Sequence, residues 1–151
     1  MKYQQEVIDW VIEEISPLLE AHYHEVALSK DRVKYNPLWS FYRDAETAGM
    51  LYIFTARTDE NKLVGYNCYF INVHPHYKDR LCAQNDIFYV DPEYRGKMTG
   101  ARLLDFSEQA LINGKGVNYF FMHVKPEHDF AKLLTRRGYI LHEYIYSKLV
   151  D

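Results

Sequence analysis

Between Val7 and Leu19 apolar side chains recur at Val7, Trp10, Val11, Ile15, Leu18 and Leu19, the three-and-four spacing that gathers one face of an α-helix. The pattern predicts a first helix over about Gln4 to Ala21. A second, shorter helix is predicted from Pro37 to Ala48, with Pro37 suited to a first turn and Gly49 to a stop. The period then changes. Met50 to Arg57, Lys62 to Val73 and Leu81 to Val90 are rich in Ile, Val, Tyr and Phe, and Thr58-Asp59-Glu60-Asn61 forms a polar turn, so three consecutive antiparallel strands are expected.

Helical spacing returns at Leu103, Phe106, Ala110 and Leu111, predicting a helix over Thr99 to Asn113 that Gly114 and Gly116 end. Val117 to Val124 is nearly continuous in apolar residues, the pattern of a central strand buried on both faces and parallel to the strand before the helix. A short helix over Phe130 to Arg137, capped by Gly138, and a last strand over Glu143 to Val150 complete the prediction. The fold class is α+β, a mixed α/β sheet flanked by helices. One domain is expected over residues 1–151, with the helices of 1–49 as a flap over one end of the sheet and 50–151 as the sheet core.

Composition narrows the function classes. At 151 residues, 48% hydrophobic and 16% aromatic with 14 Tyr, the chain has the means for an ordered core. A net charge of −3 offers no basic face for nucleic acid and no attraction to an anionic membrane. The local cations Arg95, Lys97 and Arg102, and Lys132, Arg136 and Arg137 on the later helix, do not change that balance. Cys68 and Cys82 lie in apolar strand segments at no metal spacing, so buried thiols in a reducing cytoplasm are expected. The pairs His22/His24 and His74/His76 read as surface or as the lining of a substrate mouth, and no metal is expected.

The chemistry concentrates at residues 90 to 104, which read as strand, glycine-containing loop, then helix: Val90-Asp91-Pro92-Glu93-Tyr94-Arg95-Gly96-Lys97-Met98-Thr99-Gly100-Ala101-Arg102-Leu103-Leu104. Free N–H groups at a helix start carry partial positive charge and form a ready seat for a pyrophosphate. This stretch resembles the acyl-CoA-binding motif of the GNAT superfamily of N-acetyltransferases, Gln/Arg-x-x-Gly-x-Gly/Ala. Arg95 matches its first position and Gly100 its last; Met98 stands where the family has its first glycine. A side chain there is expected to turn away from the ligand and keep helical backbone angles, with Gly96 supplying flexibility. Lys62-Leu63-Val64-Gly65-Tyr66 and Arg137-Gly138-Tyr139 are similar to further family landmarks. His123-Val124-Lys125-Pro126 and Glu143-Tyr144-Ile145-Tyr146 resemble phrases of members carried by phages and prophages. The family's usual first strand is not evident ahead of the first helix.

The resemblance implies a GNAT-type fold with a splayed sheet, acetyl-CoA as cosubstrate and a primary amine as acceptor. It places Phe88, Tyr89 and Val90 against pantetheine or the thioester, and Arg95, Gly96, Lys97, Met98, Thr99, Gly100 and Ala101 at the CoA phosphates. Asp86 is the first candidate base, because strand alternation puts it on one face with Phe88 and Val90. His123 on the neighbouring strand is a second acid/base candidate. The family's usual acid, a tyrosine four residues before the glycine of the Gly-Tyr ending, is Leu134 here, leaving Tyr139, Tyr144 and Tyr146 as substitutes. A CoA-binding or regulatory protein without turnover is the alternative. Neither the acceptor nor the assembly state, a homodimer included, is written in the chain.

Overall fold

The computed structural model describes residues 1–150. Its centre is a five-stranded sheet in the order β1-β2-β3-β4-β5, built from β1 (Lys2–Glu6), β2 (Leu51–Arg57), β3 (Leu63–His74), β4 (Tyr77–Val90) and β5 (Tyr119–Phe121). All neighbours run antiparallel except β4 and β5, which run parallel and are joined through helix α3 (Thr99–Lys115). Helices α1 (Ile8–Val26) and α2 (Trp39–Thr47) precede β2, and a single-turn helix α4 (Ala131–Thr135) follows β5. The mixed, splayed sheet with helices on both faces is the expected fold class.

Two cores follow from strand alternation. Odd and even positions of β2 and β3 send side chains to opposite faces. On one face Ile53, Leu51, Tyr66, Cys68 and Tyr89 meet Ile8, Val11 and Ile15 of α1 and Ala45 of α2. On the other, Phe54, Val64, Tyr69, Ile71 and Ala83 meet Leu103 and Leu111 of α3. The two front helices therefore share a core with the sheet instead of standing as a flap at its end.

The chain departs from the predicted elements at three places. Residues Lys2–Glu6 form an edge strand on β2, where the sequence suggested the start of a helix. Its polar sequence, Lys-Tyr-Gln-Gln-Glu, carries no apolar alternation; it is held by its ladder to β2, by Tyr3 against the α3-face core and by Arg57, 3% exposed. The Arg57 guanidinium donates to both Glu6 oxygens, at 2.7 and 3.1 Å, to both Glu14 oxygens at 2.9 Å, and to the Asn61 carbonyl at 3.0 Å, tying β1, β2 and α1 together. The strand expected over Val117 to Val124 is parallel to β4 but only three residues long, half-buried and at the sheet edge. The last strand is absent: residues 139 to 150 adopt no regular structure, and the alternating Tyr and Leu that suggested it are largely exposed.

Candidate active site

β4 and β5 pair over only three positions, Cys82 with Tyr119, Ala83 with Phe120 and Gln84 with Phe121. Beyond Gln84 the strands part, so residues 85 to 90 of β4 keep β3 on one side and face an open cleft on the other. The cleft encloses about 840 Å³, and its walls are β4, the C-terminal end of α1, the start of α3 and the segment from His123 to Leu133. That volume lies within the range of ligand and cofactor pockets, roughly 300–1,000 Å³.

The first turn of α3 opens into this cleft, with Thr99, Gly100 and Ala101 on its wall. Helix geometry leaves their N–H groups without intrahelical partners. Gly100 lets the turn approach the strand: a Cβ there would lie 3.3 Å from the Phe88 ring and 3.4 Å from Val90 Cγ2. Gly96 has a positive φ of 73° with open space about it. Met98 differs from expectation. Its φ of 64° and ψ of 3° are left-handed, so it takes the conformation glycine favours instead of helical angles, and its side chain is exposed. The loop needs a left-handed residue to turn into α3, and this requirement overrides side-chain preference.

Arg95 is held within the protein. Its guanidinium makes a bidentate pair with Glu25 of α1, both contacts at 2.8 Å, while Nε donates to the Val90 carbonyl at 2.7 Å. His128 Nδ1 lies 3.5 Å from the same Glu25, and Lys125 donates to the Val26 carbonyl, so charges from three segments meet at the cleft mouth. The Arg95 hydrogen bonds hold the Glu25 carboxyl below its usual range. His22, one turn earlier on α1, packs 4.8 Å from the Tyr89 ring centre; burial pushes its pKa down to about 4.

Asp86 lies in the cleft, but not in the phase predicted for it. Cys68 pairs with Ile87 and Tyr69 with Asn85, so the register steps over Asp86, the extra residue of a β-bulge. The bulge turns Asp86 to the α1/α2 face, away from the face of Phe88, and Tyr42 of α2 donates to its Oδ2 at 3.0 Å. Solvent reaches the carboxyl in its recess, yet the surrounding protein displaces enough water to raise its pKa, an effect that the Tyr42 hydrogen bond and the His123 charge partly oppose. Asn85 points to the α3 face, where it donates to Asn67 at 2.8 Å; Asn67 in turn donates to Ser107 of α3 at 2.8 Å. This buried chain fixes the bulge, because a slipped register would strand polar groups without partners.

His123 follows β5 on the far side of the parting. The Gln84 side-chain amide lies 3.2 Å from His123 Nε2, a hydrogen bond across the parting strands. The cleft thus gathers Asp86 and His123 with Phe88, Tyr89, Val90, Arg95, Gly96 and Met98. Lys97 instead lies near the Tyr94 ring, 6.0 Å from its centre. Tyr146 is 93% exposed in the irregular C-terminal segment and is not brought to the site; Tyr139 donates to Glu108 on the α3 side at 2.8 Å. Leu134, at the family's usual acid position, is buried. Sequence reasoning missed Tyr42, whose role depends on the bulge, and the partnership of Glu25 with Arg95, 70 residues apart. Among the described residues, no three His, Cys, Asp or Glu side chains converge on a common metal position, and no helix is long and apolar enough to cross a membrane.

The fold as a whole is shared with solved acetyltransferases. The ribosomal-protein-alanine N-acetyltransferase of Brucella melitensis biovar Abortus superposes with a TM-score of 0.70 at 16% identity over all of both chains. An aminoglycoside acetyltransferase from an uncultured soil metagenomic sample, solved with sisomicin, gives 0.68 at 19% identity over 97% of this chain and 96% of that one. An acetyltransferase of Trypanosoma brucei gives 0.67 at 17% over 99% and 100%. A search of curated proteins finds no match. The acetyltransferase (GNAT) family model matches residues 12–139, and the chain belongs to that family.

Proposed function

We propose that the protein is an N-acetyltransferase of the cytoplasm that moves an acetyl group from acetyl-CoA directly to a primary amine. The observation that carries this reading is the parting of β4 from β5 beside the first turn of α3, with Asp86 in the same cleft. The free N–H groups of Thr99, Gly100 and Ala101 suit a pyrophosphate. The unpaired edge of β4 at Phe88 to Val90 suits the amides of pantetheine, and a backbone N–H there suits a thioester oxygen. The resemblance to phage-borne members rests on the two C-terminal phrases alone.

An alkyl amine with a pKa near 10.4 is neutral in only about one molecule in 2,500 at pH 7. Asp86 receives the proton that must leave it. The amine nitrogen then forms a bond to the carbonyl carbon, the carbon–sulfur bond breaks, and the nitrogen's second proton passes by way of His123 to the departing thiolate. Asp86→Asn is expected to lower turnover by roughly 10²-fold or more while acetyl-CoA affinity by calorimetry stays near wild type. Full activity of that variant would remove Asp86 from the reaction.

A second reading, CoA binding without turnover, is favoured by Arg95 being committed to Glu25, by buried Leu134 and by outlying Tyr146. Calorimetric binding of acetyl-CoA without release of free CoA, alone or with a panel of amines, would establish that reading.

A further inference from the structure

Gln84 and Asp86 share one face of β4, since Gln84 pairs with Phe70 of the α1/α2 face and the bulge brings Asp86 to the same side. Beneath them lies a group of rings. Phe70 is 5.6 Å from Phe41 and 6.0 Å from Tyr42, centre to centre, and Phe41 is 6.0 Å from Tyr42, whose hydroxyl holds the Asp86 carboxylate. Trp39 extends the group, 5.8 Å from Tyr42. Phe41 is 54% exposed, although an aromatic ring gains from leaving water.

We propose that Phe41, Tyr42 and Phe70 form the floor of the acceptor site, and that the acceptor is a primary amine on an apolar or aromatic body. This deepens the acetyl-transfer reading and rests on it. Two features of the site select this occupant over a polyamine or a polyhydroxylated amine. The rings offer apolar area and electron-rich faces, which reward a flat or aliphatic body and tolerate a cation beside them. The adjoining carboxylate supplies a single anionic end, complementary to one ammonium group. An amine anchored at Asp86 would therefore lay its body across Phe41 and Phe70.

The test compares phenethylamine with putrescine as acceptors for the full-length protein with acetyl-CoA. Phenethylamine is expected to show a kcat/KM higher by roughly tenfold or more, the scale at which apolar contacts discriminate substrates. Phe41→Ser, its fold checked by circular dichroism, should erase that preference by lowering the phenethylamine kcat/KM to the putrescine value, with acetyl-CoA affinity by calorimetry unchanged. Equal rates for the two amines, or a preference untouched by Phe41→Ser, overturn the floor but leave acetyl transfer standing. If Phe41→Ser only converts a dimer to a monomer by sedimentation, the rings belong to a contact between two copies and the proposal fails. Binding is read separately by broadening of the phenethylamine ring signals in NMR. Loss of that broadening in Phe41→Ser supports the floor even without turnover, and its absence in the wild type overturns the floor.

Discussion

At the residue scale, two side chains behave as their neighbours require. Tyr42 stabilises charged Asp86 by donating to Oδ2, opposing the upward push of burial. Removing the hydroxyl in Tyr42→Phe leaves burial less opposed, so the Asp86 pKa rises further and the carboxylate needs a higher pH to form. The acidic limb of kcat/KM is expected to move to higher pH, with acetyl-CoA binding unchanged; a limb that stays in place would show that another group limits the rate. Met98 holds a left-handed conformation that costs a non-glycine residue roughly 1–2 kcal/mol. Met98→Gly relieves that strain but gains freedom in the unfolded chain, which offsets part of it. A net stabilisation of about 0.5–1 kcal/mol is expected from urea unfolding. Neither effect is legible in sequence. The Asp86 contact depends on a register shift, and the Met98 angles on where the loop must deliver α3.

At the element scale, the legible parts are those whose apolar period matches a buried face. β2, β3, β4 and α3 begin and end close to where alternation and helical spacing place them. β1 was hidden because an edge strand held by Arg57 needs no apolar alternation, and the C-terminal strand was overread because alternating Tyr and Leu occur in an exposed segment without a partner. The bulge in β4 reversed the phase inferred for Asp86, since period-two reasoning holds only while the ladder is unbroken. The contact between α3 and β4 carries its own prediction. Gly100→Leu would drive a side chain into Phe88 and Val90, lifting the first turn of α3 away from the strand. Acetyl-CoA affinity should fall by about tenfold or more while the circular dichroism of the variant stays native-like. Unchanged affinity in a folded variant would detach the helix start from the ligand.

At the scale of the whole molecule, α1 is fastened to the rest of the fold by two ion-pair clusters. In its first half Glu14 joins Glu6 on buried Arg57, and near its finish Glu25 meets Arg95, which holds the Val90 carbonyl at the end of β4. Arg57→Met would leave Glu6, itself only 9% exposed, without its cation. Breaking such a pair from one side costs about 3–5 kcal/mol, so a fall of about 3 kcal/mol in unfolding free energy is expected. A change under 1 kcal/mol, roughly that of a surface pair, would mean the cluster is loosely held. The buried chain Asn85–Asn67–Ser107 has a different consequence. It makes the sheet's alignment independent of residue 86, which pairs with no partner across the ladder. Folding therefore places little demand on that side chain, and Asp86→Asn should unfold within about 0.5 kcal/mol of the wild type. A lineage could exchange the proton-accepting group at this one position, adapting to amines of different basicity, without rebuilding the frame that holds it.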